Sequence, residues 1–438
     1  GIISLLSFFN IIYSYYLNLY LNLNTYYYSL FFSVVLSIFF FKINPKEKKF
    51  SIFEKILTVF FGYLLIPVIL SVPFYFSIYN LTFLNSYFEA ISGFTSTGFS
   101  IFDNIKNIDQ SLILWRSSTQ WIGGLYFLFS IIFLIEIYDE SFKKTLTNYI
   151  SFDSSEVFKQ AIKIFLLYSF LTLLIFFILS IFSVRTFNSL NLAFSLISSG
   201  GFLPDNDLSN IIKENSQIII LSVLMLFSFF SIFFSYNLIF LKNKNINFFY
   251  EDFHLIVYLI IIISIFFLFF SFNKEFFVNL LAIISSMSNI GFALKVDQSN
   301  MSLVFLILVI VGGSFFSTSS GLRFIKIYSL FKYSINQILS FSKPKNIFMN
   351  KLIFTNINFD FNEINKYFMT IIIFIMSLFI FTSILSISGI SFENSFKLSI
   401  LTLMNTVNSS IYGLSDFNFN ELNFFTKYCF ILFMIIGR

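Results

Sequence analysis

The sequence predicts an all-α polytopic membrane protein. About ten transmembrane helices are expected, with four pseudo-fourfold helix–pore-loop–helix units around a central pore. Three observations predict it. The composition is 57% hydrophobic and 11% charged, where a soluble domain carries roughly 25% charged residues. Apolar runs close to ~20 residues, the length that crosses a bilayer, recur along all 438 residues. A polar phrase that steps into glycine also returns along the chain: Thr95-Ser96-Thr97-Gly98-Phe99, Ser198-Ser199-Gly200-Gly201-Phe202 and Ser288-Asn289-Ile290-Gly291-Phe292, then more loosely Asn405-Thr406-Val407-Asn408-Ser409-Ser410. The intervals are about 100, 90 and 120 residues, and a fixed period of that size marks one structural unit used repeatedly.

Two apolar segments, 1–22 and 26–41, open the chain as accessory membrane helices within 1–42. Four units follow, at 53–135, 160–241, 253–330 and 366–438. Each begins with a membrane-length span: 53–78, 160–183, 253–272 and 366–389. Each continues with a short segment: 83–94, 187–197, 276–287 and 392–404. A dozen residues cannot cross a hydrocarbon core of roughly 30 Å, so these read as re-entrant helices. The phrase comes next, then a second span at 111–135, 216–241, 301–329 or 421–438. Non-helical backbone at membrane depth is tolerated only where it lines protein or water, so each phrase is expected to face a pore. Gly1 and Arg438 both fall in apolar stretches, so both ends read as trimmed.

Charge orients this layout. The connectors 42–55, 136–163, 242–252 and 323–366, with Arg438, hold 19 Lys and Arg, against 8 on the side of the phrases. Acidic residues divide 11 and 11. The positive-inside rule makes the first side cytoplasmic. The net charge of +5 therefore reads as a topology signal and not as a nucleic-acid footprint. Asp103, Asp109, Asp205, Asp207, Asp297 and Asp416 follow the phrases. They are either solvated loop residues or a negative vestibule that concentrates cations. One histidine, His254, and one cysteine, Cys429, give neither a metal cluster nor a disulfide framework, and no cofactor is expected in this chain.

Four short helices aiming their C-terminal ends at one axis present negative dipole ends, which favour a cation. The extended backbone after each offers carbonyl oxygens in place of a hydration shell. Glycine tolerates the dihedrals such a strip needs and allows close approach. The segment 312–321, with Gly312, Gly313, Ser314, Ser317, Thr318, Ser319, Ser320 and Gly321, interrupts an apolar span. It reads either as a small-residue packing face or as a flexible interruption. Arg438 within a membrane helix is costly and points to function, or else snorkels to the interface.

Three stretches carry a resemblance. WRSSTQWIGGLYF at 115–127, GGSFFSTSSGLRFIK at 312–326 and MIIGR at 434–438 are similar to sequences of the Trk/Ktr/HKT potassium transporter superfamily, closest to its TrkH-type membrane subunit. The resemblance covers essentially the whole chain. It implies potassium uptake across the cytoplasmic (inner) membrane of a bacterium, with K⁺ as the transported ion. The implied filter comprises Thr95, Ser96, Thr97 and Gly98; Ser198, Ser199 and Gly200; Ser288, Asn289, Ile290 and Gly291; and Thr406, Val407 and Asn408. In the fourth unit Asn408 takes the glycine position, unless the register slides to Gly413, and this bears on K⁺ over Na⁺ discrimination. The implied gate is the 312–321 interruption together with Arg438. The implied partners are a cytosolic nucleotide-binding regulatory subunit of the TrkA type and a second copy in a homodimer. Alternatives are a Na⁺- and K⁺-permeable or non-conducting member, or a multi-pass membrane glycosyl or lipid transferase. The transferase reading leaves the recurring phrase unexplained and has only scattered acids to work with.

Overall fold

A computed structural model describes residues 1–42, 51–134, 157–240, 250–269, 276–294, 301–341, 361–414 and 417–438. Helices α1 (Ile2–Tyr16) and α2 (Leu23–Lys42) pack together, with a Ser7–Ser29 hydroxyl pair at 3.0 Å between them. Tyr26 of α2 donates to Ser111 of the first unit at 3.0 Å, which fixes the pair to the rest of the molecule.

Four runs of elements then follow the same order. The first is α3 (Ile52–Leu70), its one-turn extension α4 (Val72–Tyr75), the short α5 (Phe83–Phe94), a loop, and α6 (Gln110–Phe133). Ser51 and Glu54 form a capping box at the start of α3. Pro67 and Pro73 flank the break between α3 and α4, where proline removes an amide donor. The second run is α7 (Val157–Ile181), α8 (Thr186–Ser198), α9 (Asn215–Phe229) and α10 (Ile232–Phe240). The third is α11 (Tyr250–Phe269), α12 (Phe276–Met287), α13 (Ser302–Ile310) and α14 (Phe324–Ser340). The fourth is α15 (Phe361–Ile387), α16 (Phe392–Leu403) and α17 (Phe424–Gly437).

Two expected spans are broken. The 216–241 run is not one helix: α9 ends at Phe229 and α10 begins at Ile232. Ser231 between them donates its amide and its hydroxyl to Asp252, at 2.9 and 3.0 Å. Its hydroxyl also accepts from Phe234, capping α10. The 301–329 run is divided between α13 and α14 by a loop. The ends of that loop pair in parallel as two-residue strands, β1 (Val311–Gly312) with β2 (Leu322–Arg323).

Among the described residues, five helical stretches are long and apolar enough to cross a membrane, where about ten spans were expected: Leu23–Phe40, Ile52–Tyr75, Lys159–Ile181, Glu251–Leu268 and Ile364–Ile387. They are α2 and the first helix of each run. Each is mostly unburied, between 17 and 33% inside the molecule, as a lipid-facing helix would be. The second helix of each run misses that standard for a physical reason. α6 is long, but it carries Arg116, Ser117, Ser118, Thr119 and Gln120, all buried against other helices. The other second helices are broken or short. Apolar first helices thus surround polar or interrupted second helices. The result is an all-helical, multi-pass membrane fold.

Candidate functional site

The four loops after α5, α8, α12 and α16 share one backbone pattern. In each, an amide donates to the carbonyl five residues earlier, on the short helix. The pairs are Thr97 to Ser92 (2.9 Å), Gly200 to Ser195 (2.7 Å), Ile290 to Ser285 (3.0 Å) and Thr406 to Leu401 (2.9 Å). The preceding residue is left-handed in all four: Ser96 at φ 61°, Ser199 at 57°, Asn289 at 58° and Asn405 at 46°. Non-glycine residues take that conformation at a cost of order 1–3 kcal/mol, and it persists where surrounding contacts enforce it.

This common turn fixes the register. The residues level with Gly98 are Gly201, Gly291 and Val407. The glycine position of the second loop is therefore Gly201, not Gly200. That of the fourth is Val407, neither Asn408 nor Gly413. Asn408 stands level with Phe99, Phe202 and Phe292, and its amide donates back to Leu414 at 3.2 Å. Gly413, at φ 70°, ends a separate turn, Ser410–Tyr412. Sequence reading missed this because the fourth phrase has no glycine to align on.

The loops close a ring. A Cβ added to Gly98 would lie 2.7 Å from the Gly201 Cα, so loops one and two meet backbone to backbone. The Ser199 hydroxyl donates to the Ser288 carbonyl, joining two to three. The Asn289 amide reaches the Thr406 hydroxyl at 3.4 Å, joining three to four. The Asn405 amide donates to the Thr97 hydroxyl at 2.9 Å, joining four back to one. Thr95, Ser96, Thr97, Ser198, Ser199, Ser288, Asn289, Ile290 and Thr406 are all buried. The ring is not uniformly fourfold. Gly98 and Gly291 are left-handed, at φ 84° and 81°, whereas Gly201 and Val407 stay outside that region.

The 312–321 loop is tied down from several sides. Arg323 spreads one terminal nitrogen over the Ser314 carbonyl (2.9 Å), the Ser317 hydroxyl (3.0 Å) and the Ser319 carbonyl (2.9 Å). The Gly313 amide donates to the Ser319 hydroxyl at 3.0 Å. Phe315 donates its amide to the Glu251 carboxylate at 3.0 Å. Ser314 and Ser319 donate their amides to the carbonyls of Phe229 and Ser228, and Ile232 donates to Phe316, so the loop satisfies the backbone freed by the α9–α10 break. The Thr318 hydroxyl donates to the Ile197 carbonyl at 2.7 Å, at the end of α8 and next to the ring. Arg438 donates to the Ser320 hydroxyl at 2.7 Å and lies 4.4 Å over the Phe127 ring. Both proposed gate components therefore touch.

A second buried cluster was not anticipated. Arg116 pairs with Glu89 at 2.8 Å, with side chains 1% and 0% exposed. Glu89 also accepts from the amide of Ile101 (2.9 Å) and the hydroxyl of Ser100 (3.1 Å), just past the first loop. The Arg116 guanidinium lies 4.1 Å over Phe202 of the second loop. The available signal was an acid inside a short amphipathic helix, four residues before Gly93.

The acidic residues after the phrases divide. Asp205 pairs with Lys106 at 3.6 Å, and Asp109 accepts from Ser111 and Asn22. Those two have structural work. Asp103 is exposed. Asp297 and Asp416 lie outside the described residues, as do most of the basic connectors. His254 is buried with its ring 4.8 Å from Tyr328.

No family model matches the chain. An uncharacterized cation transporter of Methanocaldococcus jannaschii is 23% identical over 396 residues, 87% of this chain and 80% of that protein. The potassium uptake protein TrkG of Escherichia coli is 39% identical over 46 residues, 10% of each chain. TrkI of Halomonas elongata is 35% identical over 60 residues, 14% of this chain and 11% of that one. The crystal structure of the potassium transporter TrkH from Vibrio parahaemolyticus superposes with a TM-score of 0.83 at 17% identity, covering 99% of this chain and 94% of that one. These relatives are transport proteins, not membrane transferases. The chain thus shares the whole fold of TrkH, is similar over most of its length to a cation transporter, and is similar over short stretches to two Trk potassium uptake proteins.

Proposed function

We propose that the chain carries potassium inward across a cytoplasmic membrane, through a filter of main-chain oxygens supplied by the four loops. One observation carries the reading: the loops contact one another in a closed ring, each at the buried C-terminal end of a short helix. Four such ends bring partial negative charge to one place. Carbonyls there can replace a cation's hydration shell. The matched TrkG, TrkI and TrkH are named as potassium proteins, which supports potassium as the ion. The 312–321 loop, held by Arg323 and Arg438 against the end of α8, serves as the gate. A cytosolic nucleotide-binding subunit and a second copy of this chain complete the assembly on this reading.

The test is competitive Rb⁺ and Na⁺ uptake into liposomes containing the full chain. Gly98→Ala is the decisive variant. Its methyl would meet the Gly201 backbone at 2.7 Å from a left-handed position that alanine resists. The expected result is Rb⁺ uptake by the parent and loss to background in the variant. Equal uptake by both would remove the ring from the ion path. A second reading, a sodium-permeable or non-conducting member, is favoured by Val407 at a glycine position.

A further inference from the structure

We propose that Val407 is the specificity-determining constriction of this pathway, and that Gly201 is glycine because Val407 occupies its side-chain space. The proposal rests on the transport reading above. Contacts run from loop one to two, two to three, three to four and four to one, so loops two and four stand opposite each other. Yet a Cβ placed on Gly201 would lie 2.3 Å from the Val407 Cβ and 2.8 Å from one of its methyls. The Val407 isopropyl therefore spans the diagonal of the ring to its opposite member. It also closes on the adjacent loop: a Cβ on Gly291 would lie 2.8 Å from a Val407 methyl. Val407 itself is only partly buried, whereas Thr406 before it is fully buried.

The consequence is physical. Where the other three loops offer hydrogen at this level, the fourth offers a branched apolar group. An apolar constriction resists wetting, and a bare cation gains nothing from methyls. Valine is stiff about χ1, so the group does not swing aside freely. The constriction slows every cation and weighs most on large ones. Gly201 lies outside the left-handed region, so its backbone conformation does not itself require glycine. After the three nearest Val407 atoms, no atom lies closer than 3.0 Å to a Cβ placed there. The need for glycine at 201 therefore comes from Val407.

The experiment is a double-mutant cycle in liposomes, with Rb⁺, Cs⁺ and Na⁺ uptake measured for the full chain, Val407→Gly, Gly201→Ala and the double variant. Size exclusion and thermal melting in detergent verify that each is folded. Val407→Gly is expected to raise Rb⁺ uptake about tenfold, the effect of ~1.4 kcal/mol off a barrier, and to raise Cs⁺ relative to Na⁺. Gly201→Ala alone is expected to lower uptake, and the same change made on top of Val407→Gly to leave it unaltered. Uptake by the parent that Val407→Gly leaves unchanged in rate and in cation ranking overturns the constriction while the transport reading stands. So does a Gly201→Ala effect of equal size in both backgrounds. Absence of uptake in parent and Val407→Gly alike overturns the transport reading, and this proposal with it. Uptake by Val407→Gly alone supports the proposal in its strongest form, a path shut by one side chain.

Discussion

The buried Glu89–Arg116 pair decides how the first loop is held. Glu89 accepts from Arg116, Ser100 and Ile101 together, which ties α5 and α6 to the chain just past Phe99. Burying two charges is expensive, and the hydrogen bonds Glu89 accepts offset that cost, while one terminal nitrogen of Arg116 has no hydrogen-bond partner among the described residues. Removing one partner leaves the other uncompensated. Glu89→Ala is therefore expected to cost roughly 3–5 kcal/mol of stability, read as a large drop in the melting temperature of the solubilised protein. A melting point within a degree or two of the parent (about 0.5 kcal/mol, the range of an innocuous substitution) would show that the pair carries no such load. At this scale the sequence was readable in part. Arg116 stands in the WRSSTQWIGGLYF stretch that opens a span, but its partner sits 27 residues away, and nothing local links them. Val407 was named in the implied filter, but its place level with the glycines was hidden: no glycine marked the register, and the left-handed turn at Asn405 reveals it.

Among elements, the short helices were legible and the broken ones were not. Helix α5 matches the expected 83–94 and α12 the expected 276–287, because a dozen amphipathic residues bounded by polar ones leave little choice. The α9–α10 break leaves no mark in its own apolar run. It is imposed from elsewhere: by Asp252 on Ser231, and by the loop residues Ser314, Phe316 and Ser319 on the freed backbone. The 312–321 interruption was visible by composition, but the arginine that organises it is read only in three dimensions. One Arg323 nitrogen serves three acceptors of the loop. Arg323→Gln is expected to speed amide hydrogen exchange across 312–321 and to leave α5 protected. Flux of Rb⁺ without any cytosolic partner is expected to rise as well, because the loop loses its anchor. Unaltered exchange across 312–321 would assign the loop's order to its backbone pairing alone, through Val311–Leu322 and Gly312–Arg323.

For the whole molecule, hydropathy and burial divide the helices into two shells. The helices that satisfy a transmembrane standard are the outer ones; the inner ones carry Arg, Gln and Ser or are interrupted. That is why counting apolar runs found the fold class but misjudged the second helices of the second and third units: a helix buried among other helices need not be apolar all round. The same division bears on orientation. On the sequence assignment, the phrases and Asp103 share the side with 8 basic residues, and the connectors with Arg438 hold the other 19. Orientation follows the Lys and Arg bias of such connectors. The chain is suited to a direct test because Cys429 is its single cysteine. With Cys429→Ser as background, Asp103→Cys and Lys48→Cys report the two sides. In intact cells an impermeant maleimide is expected to label position 103, and to label position 48 only after permeabilisation. The reverse pattern would turn the molecule over and set the ring toward the cytoplasm. Such an inversion would make the proposed inward path an exit, with the 312–321 loop on its far side.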